Sequence, residues 1–119
     1  MANYKNYQVW ERSHKLVINL YKLTATFPKQ EQYNLTSQIN RAVLSIPTNI
    51  AEGCGRETQK EFVRFLYFSS GSAHELEYLI TVSNELNLIK EEESKNILME
   101  IDQIKKMLHA LITTIKKSL

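Results

Sequence analysis

The chain has 119 residues, 43% of them hydrophobic and 24% charged, with a formal charge of +2. That is one domain by length, with ordinary globular composition and a charge too near neutral to point to nucleic acid by itself. One cysteine, Cys54, rules out an intramolecular disulfide and any thiolate cluster within one chain, and a lone thiol suits a reducing compartment such as the cytoplasm.

The opening Met-Ala-Asn-Tyr-Lys-Asn-Tyr has no apolar run behind it, so no signal peptide is expected. No stretch is apolar for long enough to predict a membrane span. The first predicted helix runs from about Tyr7 to Ala25, with Trp10, Ser13, Val17, Leu20 and Thr24 recurring at three- and four-residue steps. Leu16, Leu23 and Phe27 widen the stripe, and Phe27-Pro28 stops it.

A second helix is expected from between Glu31 and Leu35 to about Glu52, carried by Leu35, Ile39, Ala42, Val43, Ile46 and Ile50. Pro47 sits inside this stripe, where proline removes a backbone donor and costs about 3 kcal/mol. Gly53 and Gly55 are read as its end, through left-handed backbone. The stretch around Pro47 has three readings: a bent helix, a functional loop presenting Asn49, Glu52 and Arg56, or amides of Gly53-Cys54-Gly55 cradling an anion. Of these, a kink followed by a tight turn needs the least, and it keeps Ile46 and Ile50 in the core. Asn49 and Glu52 are then expected to tie neighbouring helices or protomers.

Thr58 with Glu61 has capping-box spacing and opens a third helix. Phe62, Phe65, Leu66, Ser69, Ala73, Leu76, Leu79, Ile80, Ser83 and Leu86 hold its period to an exit near Asn87. A fourth helix starts near Lys90 behind Glu91, Glu92 and Glu93 and ends at Lys116 and Lys117, both signs suiting the helix dipole. Ile97, Ile101, Ile104, Leu108, Leu111 and Ile115 step as a heptad pattern. With short connections and no strand pattern, the expected fold is all-α: one domain over 1–119, an elongated, antiparallel up-down-up-down four-helix bundle.

The third helix carries apolar residues outside its stripe. Val63, Tyr67, Tyr78 and Val82, with the small patch Ser70-Gly71-Ser72, either broaden the core or make a face for self-association through helices two and three.

Chemistry is sparse. His14, His74 and His109 lie on different helices and form no metal pair; no metal or cofactor is expected and no enzymatic activity. Glu52 and Glu75 read as capping or inter-helix partners rather than isolated buried acids. Residues 1–30 hold five Lys/Arg against one Glu. An antiparallel bundle gathers Lys5, Arg12, Lys15, Arg56, Lys60, Arg64, Lys116 and Lys117 at one pole, a candidate surface for RNA or DNA. Tyr4 and Tyr7 beside it either stack on bases or cap the core.

The pieces Tyr7-x-Val-Trp10, Arg41-Ala-x-x-Ser45-Ile-Pro47-x-Asn49-Ile-Ala-Glu52-Gly53, Phe62, Phe65-Leu66, Gly71-Ser72 and Glu75-Leu76 carry a resemblance over nearly the whole chain. The chain resembles the four-helix bundle proteins encoded in intervening sequences of bacterial 23S ribosomal RNA genes, often labelled as ribosomal proteins. The resemblance implies a left-handed bundle assembled as a ring-like homopentamer, and no firm biochemical activity. A branch similar in fold is the accessory variability determinant proteins of diversity-generating retroelements, which bind nucleic acid and a reverse transcriptase through basic surface. Two readings follow: an oligomer that binds RNA or DNA, or a structural or protein-interaction scaffold without nucleic acid.

Overall fold

A computed structural model describes residues 3–119. A 3₁₀ turn at Tyr4–Asn6 leads into α1 (Gln8–Thr24), and a second at Lys29–Glu31 lies between α1 and α2 (Leu35–Cys54). Then come α3 (Gln59–Glu85) and α4 (Glu91–Lys116), with no strand among the described residues. Sequential helices pack side by side and α4 closes back on α1, giving a four-helix bundle of 46 × 22 × 19 Å. The longest helix, 27 residues, accounts for the length at about 1.5 Å per residue.

The helical stripes meet along the axis. Leu20, Ile39, Ile46, Ile50, Leu66, Leu76, Ile80, Ile101, Ile104 and Leu108 are fully buried. Two positions depart from the expected stripes. Leu86 is exposed, because α3 has ended before it, and Ile89 turns inward instead. On α4 Ile112 is buried while Leu111 is only partly so. A helix repeats at 3.6 residues rather than 3.5, so a heptad stripe drifts off axis towards the end of an uncoiled helix.

The ends of α3 follow the sequence signals. Thr58 accepts a hydrogen bond from the Glu61 amide at 3.1 Å, while the Glu61 carboxylate turns to Arg64 at 3.6 Å. Asn87 adopts φ 63°, and the Leu88 and Asn87 amides donate back to the Ser83 and Asn84 carbonyls, a left-handed exit.

The end of α2 differs from expectation. No glycine has positive φ; Gly53 lies within the helix and Gly55 continues right-handed at φ −83°. Gly53 is needed for a different reason. A Cβ there would stand 2.8 Å from Phe62 Cδ1 and 2.9 Å from Phe65 Cβ, so its absence lets α3 lie directly on α2. This seam is the most extensive contact between helices in the bundle.

Candidate functional site

Pro47 falls in the middle of α2 without ending it. It has no N–H to give the Val43 carbonyl, and its ring crowds that turn. Side chains serve the next three carbonyls. The Thr48 hydroxyl donates to Leu44 O at 2.8 Å, the Asn49 amide to Ser45 O at 2.8 Å, and the Ser69 hydroxyl, from α3, to Ile46 O at 2.9 Å. Ser72 donates to Ser45 Oγ at 3.0 Å, and so does Asn49. The serine and asparagine of the motif thus bond to each other on the turn that holds Pro47, and Ser69 and Ser72 stitch that turn to α3. Ile46 and Ile50 remain buried on either side.

Asn49 therefore acts on its own helix, and Glu52 pairs with Arg56 one turn on, at 3.7 Å. Neither reaches another helix directly. Both Glu52 and Glu75 are exposed, so neither is a buried acid. Arg41 and Glu75 face a groove of about 650 Å³ between α2 and α3, with Ser45 and Ser72 beneath them and Tyr33 at its rim. They make no ion pair with each other or with any described residue. Gly71 is open: a Cβ there would meet nothing within 4 Å. Val63 is buried and belongs to the core, while Tyr67 and Tyr78 are exposed.

The cations are held by acids, by rings, or by both. Arg12 makes a two-pronged ion pair with Glu100 on α4, at 2.6 and 2.9 Å, which raises its already high pKa through the hydrogen bond. Lys15 pairs with Glu11 at 3.3 Å, and Lys5 lies 6.0 Å over the Tyr4 ring. Three more rest on aromatic rings, Arg56 4.5 Å over Phe65, Arg64 5.4 Å over Phe68 and Lys116 5.6 Å over Tyr67, and of these Arg56 and Arg64 also pair with Glu52 and Glu61. Lys60 and Lys117 are exposed, with no ion-pair partner among the described residues.

Tyr4 and Tyr7 cap the core. Tyr4 stands edge-on to Trp10 at 4.8 Å and Tyr7 edge-on to Phe62 at 5.6 Å. Burial, and secondarily Cys54, pushes the Tyr7 phenol up. Burial also raises the Cys54 thiol, so its place before a helix start does not activate it.

The cation-on-ring pairs escaped sequence reasoning. Arg64 and Phe68 are four apart on one helix, a spacing that could have shown their contact. Lys116 and Tyr67 meet only because α4 runs back along α3. A second missed feature is His14, stacked on Trp10 at 5.0 Å with planes 5° apart. No group of three or more His, Cys, Asp or Glu among the described residues comes together to hold a metal ion. No helix described is long and apolar enough to cross a membrane.

A family model described as 23S rRNA-intervening sequence protein matches residues 5–110. Among solved structures, the chain is similar to a protein of unknown function from the S23 ribosomal protein family of Bacteroides thetaiotaomicron. The two share 26% identity and a TM-score of 0.77, over 87% of this chain and 97% of that one. No curated protein matches.

Proposed function

This chain belongs to the family of 23S rRNA-intervening sequence proteins, and from that premise we propose that it is a non-enzymatic, self-associating bundle that binds RNA or DNA through one end. The end is formed by the start of α3 and the end of α4, with Arg56, Lys60, Arg64, Lys116 and Lys117 as its cations. The observation that carries the reading is the row of cations resting on rings, two of which, Phe68 and Tyr67, are about half exposed. Cations answer phosphates, and an exposed ring offers a stacking face to a base whatever its identity. Glu52 and Glu61 oppose Arg56 and Arg64 only through long, solvated ion pairs, which contribute little and can yield to phosphate. Lys5, Arg12 and Lys15 lie on or near α1 as a secondary set, Arg12 being committed to Glu100.

Self-association is proposed as the ring-like homopentamer that the resemblance implies, acting in the cytoplasm, where Cys54 stays reduced. The resemblance to retroelement accessory proteins adds a reverse transcriptase as a protein partner for co-purification. The test is binding of the purified protein to single-stranded RNA, structured RNA and DNA across a salt series. Affinity that falls as salt rises, and falls further in Lys60→Gln and Lys117→Gln, supports the reading. Absence of binding at low salt sinks it and leaves the alternative, a structural or protein-interaction scaffold, which the open α2–α3 groove favours.

A further inference from the structure

α3 and α4 run antiparallel, and two contacts between them fix their register. Lys105 Nζ donates to the Glu77 carboxylate at 3.1 Å, and Lys116 Nζ to the Tyr67 hydroxyl at 3.3 Å. Along this seam lies a groove of about 490 Å³, lined by Ser70, His74, Asp102, Lys105, Lys106 and His109. His74 lies three residues from Glu77 towards the Lys116 contact, and His109 four residues from Lys105 in the same direction. At about 1.5 Å per residue the two histidines stand within about 2 Å of the same height, one on each wall.

The fixed charges of the groove cancel. Lys105 is held by Glu77 and Lys106 by Asp102, each at 3.1 Å, so two bases meet two acids. Every residue lining the groove comes from α3 or α4. Lys116 is the next cation along, about two turns from His109. The phenols of Tyr67 and Tyr78 lie on the same face of α3 as His74. What can vary is the pair of imidazoles, the side-chain type that changes charge between pH 5 and 8. With both neutral the groove carries no net charge, and with both protonated it is positive.

The state of one imidazole is set by its own helix. The Ser70 carbonyl lies 2.7 Å from His74 Nδ1 and can only accept, so Nδ1 carries the hydrogen. Nε2 is then the atom that gains or loses a proton. Neutral, it offers a lone pair, which an anion cannot use; protonated, it is a charged donor. The two ammonium groups beside the pair favour an anion over a metal ion as the ligand.

We propose that this groove is a phosphate subsite charged by His74 and His109, which takes a phosphoryl oxyanion once both imidazoles are protonated. The source is a phosphodiester of a bound strand or a free anion. For the strand the inference rests on the binding end proposed above, since the groove lies further along the seam from Lys116; for the free anion it stands alone.

The experiment follows the imidazole nitrogens of the full chain by NMR at about pH 5.5 and about pH 8, with oligouridylate or sulfate as the probe. Sulfate stands in for free phosphate because its charge does not change over that range. His14, which lines a different groove between α1 and α2, is the internal control. At the lower pH a probe shifts His74 and His109 together with one dissociation constant and leaves His14 in place. At the higher pH its affinity falls at least about tenfold. His109→Gln, at an exposed position, keeps the circular dichroism of the parent but weakens the response of His74. Oligouridylate that binds without moving the pair, while sulfate moves it, assigns the groove to the free anion. A chain that binds no strand but whose pair answers sulfate keeps the groove and removes the binding end. The inference is overturned, whatever the strand does at the end, if neither probe moves the pair, if all three histidines move alike, or if affinity is equal at the two pH values. A His109→Gln variant whose His74 responds as in the parent overturns it too.

Discussion

Gly53 and Gly71 sit within α2 and α3 in opposite surroundings, one crowded and one open. At Gly53 the limit is space. Phe65 Cβ is attached directly to backbone and cannot swing aside, so an added methyl must push α3 away. Gly53→Ala should lower stability by about 1–3 kcal/mol despite its better helix propensity, read from denaturant midpoints. A glycine placed there only to end the helix would show no such loss. Cys54, next to it, gives a pH prediction. Its thiol is raised by burial, so the folded state favours the protonated form. That contribution is complete below the ordinary thiol pKa of about 8.5 and is lost as pH rises through the higher folded value. Stability should therefore fall in mildly alkaline solution, and Cys54→Ala should flatten the fall. A parent whose stability is level across that window contradicts the assignment.

At the scale of elements, α2 continues through an internal proline, and side-chain donors gather on the three carbonyls after the one Pro47 cannot serve. Thr48 and Asn49 are local, but Ser69 reaches across from α3 to the Ile46 carbonyl in a fully buried site. Ser69→Ala should cost about 1 kcal/mol, the net value of such a bond, and should raise amide exchange in α2 around Pro47 more than in α4. Uniform loosening of the bundle would contradict a role specific to that turn. The motif was legible in the sequence as a proline inside a helical stripe. Its serine partner on α3 was legible only as a small residue on the core face.

For the whole molecule, the proposed binding end makes a quantitative demand. Each phosphate neutralised on a single strand contributes about −0.7 to the slope of log affinity against log salt. Engagement of all five cations predicts a slope of about −3 to −4, and Lys60→Gln should reduce its magnitude by about 0.7 without altering preference among sequences. A slope near zero would show that these cations engage no phosphate. The elongated body, 46 Å long, presents this end well apart from the acidic start of α4.

Helix periods, the Thr58 cap, the Asn87 exit and the core stripes were determined by the sequence alone, because each depends on residues within a few turns of one another. The all-α bundle follows from those stripes and the short connections between them. Lateral contacts were decided by the tertiary structure. That Gly53 admits a neighbouring helix, that Lys116 rests on Tyr67, and that Arg12 is held by Glu100 all depend on which turns stand side by side. The same holds for the candidate site. The sequence grouped the cations by pole, but only packing showed which of them lie over rings, Arg56 and Arg64 keeping acidic partners as well. It also brought Arg41 and Glu75, far apart in the chain, to one groove.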